Sequence, residues 1–197
     1  MRSPSDNPVG PVDVLGKKVV IFSGHMIDHP VRETPRFPPS KVGAVTRQIL
    51  GAMGELGLGS GDIGISGGAC GGDLLFAESA LALGMQMEIF LPAPETRFVQ
   101  DSVRFAGQKW LELFQQVVQH PRSRIHILPS ARDRKDGITN AYVANRHWMR
   151  ETALKLGKER LYGLILSEGK TGDDSGATSE MQRYLQDQGI EFRLLPL

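Results

Sequence analysis

The sequence holds a single cysteine, Cys70, in 197 residues. That excludes an intramolecular disulfide and any all-cysteine zinc or iron–sulfur site. Net charge is nearly absent too: 23 Lys+Arg against 22 Asp+Glu leave +1. Broad electrostatic capture of nucleic acid or anionic lipid is therefore not expected, and anion binding would need a local cleft. No run approaches the roughly 18 apolar residues of a membrane span. Residues 1–8 lack the apolar core of a signal peptide. These absences set the expectation of a cytoplasmic protein with no membrane attachment. What remains is 40% hydrophobic, enough for a core, with 23 glycines and 12 prolines.

Residues 1–15 are polar and proline-bearing, and read as a flexible arm ahead of one domain over 16–197. Short apolar, β-branched runs at 18–22, 63–66, 87–91, 125–128, 161–166 and 192–195 have the character of buried strands. Between them, helical spacing predicts helices over 42–56 (with Ser40 as N-cap), 73–83, 103–118, 140–156 and 178–188. Strands apolar throughout, alternating with helices, predict an α/β fold: a three-layer Rossmann-like sandwich with a mostly parallel sheet of about six strands. Ligands of such sheets bind beyond the strands' carboxyl ends, at a topological switch point.

Three segments at those ends stand out. In the first, four of the six residues 67–72 are glycine, directly between a strand and a helix. Ser66, Gly67, Gly68, Gly71, Gly72 and Asp73 would form a backbone cradle for an anion at the helix N-terminus. Without a Gly-Lys-Ser/Thr it is no P-loop, and it is no GxGxxG fingerprint. A tight packing turn is the alternative. The second, at 169–180, again leads from strand to helix; Gly172, Ser175, Gly176 and Thr178 are candidate ligand contacts, and Glu180 sits near the helix start. The third is the long segment 24–39 after the first strand, a length more typical of a lid or binding loop than of filler. Ser23 and Gly24 would line the floor of the site, Arg32 and Arg36 would clamp a phosphate, and Phe37 would stack on a base. His25, Asp28 and His29 match no strong ligand spacing, so no metal is expected.

Glu78, on the helix after the glycine cradle, is either paired in the core or turned toward a ligand. Asn145, in the fourth helix, caps a backbone group or hydrogen-bonds a ribose or phosphate. Cys70 lies near a helix start but has no histidine partner at a recognisable spacing. The aromatic stretch around Trp148 could supply a homodimer face.

The run from Ser66 to Glu78, a strand ending in Leu91-Pro92, and Gly176-Ala-Thr-Ser-Glu180 opening a late helix together resemble the SLOG superfamily. That group includes the LOG-type (lysine-decarboxylase-like) phosphoribohydrolases, the Smf/DprA DNA-processing proteins and nucleotide-sensing domains. The resemblance implies a nucleotide, or nucleotide-derived ligand, at the two glycine turns and no cofactor. In the phosphoribohydrolase branch the late motif is Pro-Gly-Gly-x-Gly-Thr-x-x-Glu, with a helper arginine. Here Gly176, Thr178 and, one place nearer, Glu180 match it, Asp174-Ser175 stand in place of Gly-Gly, and Arg146 or Arg150 would be the arginine. Three expectations follow: nucleotide binding; N-glycosidic hydrolysis of a nucleoside 5′-monophosphate by Glu180 or Glu78; and, less supported by the near-zero charge, Smf-type handling of DNA.

Overall fold

The structure, a computed structural model, describes residues 16–168 and 176–197. The expected arm at 1–15, and Gly172 and Ser175, lie outside the described residues. Six strands form one sheet: β1 (Val19–Gly24), β2 (Ile63–Ser66), β3 (Gln86–Leu91), β4 (Ser123–Ile127), β5 (Leu161–Ser167) and β6 (Phe192–Pro196). Their order is β4-β3-β2-β1-β5-β6, and every neighbouring pair is parallel. Six helices flank it: α1 (Val42–Glu55), α2 (Gly72–Ala82), α3 (Glu95–Ser102), α4 (Gln108–Gln119), α5 (Ala141–Gly157) and α6 (Ala177–Asp187). This is the three-layer α/β arrangement that the alternating pattern predicts.

The period-two alternation of β1 divides the core. Val20 and Phe22 pack with α1, α2 and α4, while Val19 and Ile21 pack with α5 and α6. All four are fully buried, each worth roughly 1.5–3 kcal/mol of hydrophobic stabilisation. With both faces covered, the inner strands β1, β2 and β5 need no polar side, which is why they read as nearly unbroken apolar runs, whereas the edge strands β4 and β6 are partly exposed. The chain order reverses between β1 and β5, so the switch point lies at their carboxyl ends, Ser23–Gly24 and Leu166–Ser167.

Two predicted boundaries are corrected. The helix expected over 103–118 starts later: α4 begins only at Gln108, because Gly107, at φ 100°, breaks the chain after a single 3-10 turn at Arg104–Ala106. The preceding α3 has just two buried residues, Phe98 and Ser102, too few for an apolar stripe to show in the sequence. Ser40 is not the N-cap of α1; it lies in a single 3-10 turn, and Lys41 takes the cap position with no side-chain hydrogen bond.

Candidate functional site

A cleft of about 160 Å³ opens at the carboxyl ends of β1 and β2, beside the switch point. Ser23 and Gly24 line it from β1, Gly67 and Asp73 from the glycine turn, and Asn145 and Arg146 from α5. Phe22, Phe98, Met149 and Met181 supply apolar wall, and Tyr142 of α5 reaches across to Ser102 of α3, their hydroxyls 3.2 Å apart.

The glycine turn is built differently from the cradle the sequence suggests. Its N–H groups mostly have acceptors within the protein. Asp73 turns its carboxylate back over the turn and accepts from Gly67 and, at 3.3 Å, from Ala69. Cys70 donates to the Ser102 carbonyl and Gly72 to the His25 carbonyl, each at 3.0 Å. The close approach that glycine permits is used by the segment after β1: a Cβ on Gly71, at φ 109°, would sit 2.5 Å from the backbone nitrogen of Ile27. Gly68 (φ 74°) meets Ile89, and Gly72 meets Phe22 and Leu166, at comparably short range. Ser66 is fully buried at the end of β2, its hydroxyl without a partner. The turn is thus packed against the chain's own 24–28 segment, with Asp73 in the position of an internal anion.

Burial raises the Asp73 carboxyl to about 7, against the N–H donors of Ala69 and Gly67 that favour its charge. Burial, and then the Asp73 charge, push the Cys70 thiol up to about 12. A thiol that is fully buried and that resistant to ionisation is inert, which settles the helix-start ambiguity against a nucleophile.

The late turn contrasts with it. Gly176 is the N-cap of α6 at φ −78°, with no described atom within 4 Å of a Cβ placed there. Ala177 and Met181 face the cleft, whereas Thr178 is buried in the start of the helix and is not among the lining residues. Glu180 is clamped by two arginines of α5: Arg146 Nη2 donates to it at 2.7 Å and Arg150 Nη1 at 3.0 Å. Partial burial would raise its pKa; the Arg146 hydrogen bond and the two guanidinium charges outweigh that and hold it below the usual carboxylate range. Arg150 is 6% exposed and lies over the Tyr184 ring at 4.8 Å. Two guanidiniums on one carboxylate leave a surplus positive charge at this wall. Nε of both arginines and Nη2 of Arg150 are enclosed without a partner.

Asn145, 5% exposed, donates from Nδ2 to the Phe90 carbonyl at 2.8 Å. That fixes the amide and leaves its Oδ1 enclosed with no donor. Both alternatives for this residue therefore have an atom to serve them: one caps β3, the other is open.

Three expectations are overturned by position. Glu78 is neither paired in the core nor in the cleft; it is exposed on the outer side of α2. Phe37 is wholly buried in the core and presents no face to a base. Arg32 and Arg36 do not close over the cleft but line a separate recess beyond Met26. The segment that carries them is pinned at its ends by Ile27 N–H to the Cys70 carbonyl (3.1 Å) and Asp28 N–H to the Phe37 carbonyl (2.9 Å), and residues 29–35 between them are exposed. Trp148, the expected dimer face, packs edge-on against Phe90 and His126. Sequence reasoning missed Ser102 and Tyr142 as parts of the site. Arg150, one of the two candidates for the helper arginine, follows Arg146 by one helical turn and shares the Glu180 carboxylate with it.

No protein-family model and no curated protein sequence matches the chain. Among solved structures it is similar to DNA processing protein A (DprA) of Streptococcus pneumoniae, at 14% identity and a TM-score of 0.32, over 92% of this chain and 60% of that one. It is also similar to DNA processing protein A of Helicobacter pylori, reported for a unique single-stranded DNA binding mode. There the identity is 14% and the TM-score 0.38, over 93% of this chain and 79% of that one. The chain thus spans less than two thirds of the Streptococcus pneumoniae protein. Among the described residues, no helix is long and apolar enough to cross a membrane.

Proposed function

We propose that the cleft between β1, β2 and α5 binds a nucleotide or a nucleotide-derived small molecule. The observation that carries this is Asn145, which lines the cleft and whose Oδ1 is enclosed with no donor among the described residues. An enclosed polar atom without a partner costs about 1–3 kcal/mol, and a sugar hydroxyl or base amine would relieve it. The surplus positive charge at Arg146 and Arg150 gives a phosphate its counter-charge, and Phe98, Met149 and Met181 offer a base an apolar wall. Ser23, Gly24, Gly67, Asp73, Asn145 and Arg146 are the contacts in this reading, with Gly176 and Thr178 shaping the start of α6. The internal carboxylate of Asp73 directs the phosphate away from the α2 N-terminus. Isothermal titration with AMP, ADP-ribose, NAD and cyclic nucleotides tests it: binding of at least one, weakened by Arg146→Ala, is expected, and no binding of any would refute it.

A second reading, hydrolysis of the N-glycosidic bond of a nucleoside 5′-monophosphate, is favoured by Asp73. A carboxyl raised to about 7 in a cleft is suited to moving a proton near neutral pH, which the arginine-clamped Glu180 is not. The base would leave with a proton from Asp73, and the water that adds to the sugar carbon would return its proton to the Asp73 carboxylate. Base release from AMP that is lost in Asp73→Asn and unaffected in Glu78→Gln is the expected pattern. Release that survives Asp73→Asn would exclude this mechanism. A gel shift with single-stranded DNA decides the Smf-type reading; its absence at every salt concentration would close it.

A further inference from the structure

Across Met26, which lines both, a recess of about 380 Å³ adjoins the cleft. Asp28, His29, Arg32, Arg36, Gln100 and Phe105 form most of its wall, and the His29 ring stacks on Phe105 at 4.9 Å. Each carboxylate of the recess has a cation of its own. Asp28 is paired with Arg32 at 3.3 Å and also accepts the Arg36 backbone N–H at 2.8 Å; Asp101 is paired with Arg97 at 3.6 Å. Among the described residues the Arg36 guanidinium has no such carboxylate, and its Nε is shut off from solvent with no hydrogen-bond partner. The backbone that presents it is held by the Asp28 carboxylate on one side and by buried Phe37 on the other. A guanidinium without a carboxylate in a recess suits a phosphate, since its planar fork matches two phosphate oxygens.

The size of the cleft points the same way. At about 160 Å³ it is smaller than the roughly 300–1,000 Å³ usual for a small-molecule site, so a nucleotide seated there must extend beyond it. We propose that the recess is an anion subsite of the same ligand, with Arg36 as its principal charge. The ligand class is then a nucleoside bearing two or more linked phosphates, the chain leaving the cleft over Met26 to reach Arg36. This rests on the nucleotide reading of the cleft and specifies its substrate class.

Isothermal titration of AMP and ADP into the wild-type protein, Arg36→Ala and Arg146→Ala tests it. ADP is expected to bind the wild type about tenfold tighter than AMP. Arg36→Ala should remove that advantage while leaving AMP unchanged, and Arg146→Ala should weaken both. Because the Arg36 side chain supports no other group, Arg36→Ala should melt as the wild type does. Equal affinity for AMP and ADP, or an ADP advantage that survives Arg36→Ala, would overturn the subsite while the cleft reading stands. Absence of binding by either nucleotide would overturn both.

Discussion

The two glycine-bearing turns that open α2 and α6 share a sequence character and differ in use. The turn at 67–72 is largely closed: the N–H groups of Gly67, Ala69, Cys70 and Gly72 are taken by Asp73, Ser102 and His25, and its missing side chains make room for the chain's own 24–28 segment. At Gly176 no described atom lies within 4 Å of an added Cβ, and the acidic residue that follows, Glu180, is held by arginines from the neighbouring helix. Glycine before a helix permits close approach, but the approaching group can be the protein itself. In this fold the turn richer in glycine is the structural one.

The contrast is broken most sharply by adding a methyl group to each turn. Gly71→Ala would place a Cβ 2.5 Å from the Ile27 backbone at a positive φ, and should cost about 3–5 kcal/mol in urea unfolding or prevent folding. Gly176→Ala meets nothing and should cost less than about 1 kcal/mol, the difference between glycine and alanine as N-caps. Equal costs would erase the distinction. Next in size, Glu180→Ala leaves buried Arg150 without its carboxylate and should lose about 2–3 kcal/mol at pH 7. Since the Glu180 pKa is lowered, that loss should shrink as pH falls through the acid range.

Asp73→Asn sharpens the closed side. An unfolded aspartate titrates near 3.8 and the folded one near 7, so the folded protein holds an extra proton between those values. Stability should therefore fall as pH rises across that window, by up to about 1.4 kcal/mol per pH unit. Asparagine still offers an acceptor to Gly67 and Ala69 but carries no charge. The variant should thus gain on the wild type in thermal melts from pH 5 to pH 8, and parallel curves would contradict the internal-anion account. The smallest effect concerns Cys70, which should stay unmodified by iodoacetamide at pH 8 in the native state.

The sheet was legible in the sequence because strands buried on both faces leave unbroken apolar runs, as at 19–22 and 63–65. The location of the cleft followed from strand–helix alternation and the switch-point rule. The partner of each polar group was not legible. Nothing in the spacing says that Asp73 folds back on its own turn, that Phe37 is core, or that Arg36 faces a recess beyond Met26. Those outcomes depend on contacts between residues far apart in the chain, such as Cys70 with Ser102. The resemblance pairs Glu180 with Arg146 or Arg150, and both contacts are present, at 2.7 and 3.0 Å.

The most direct test is a backbone amide NMR titration of the protein with AMP. A ligand in the cleft that leaves the glycine turn closed should shift Ser23, Gly24, Asn145, Arg146 and the first turn of α6, and leave Cys70–Gly72 in place. Shifts centred on Gly68–Gly72, with weakening of the Gly72 to His25 hydrogen bond, would show the turn opening to take the anion and would contradict the account.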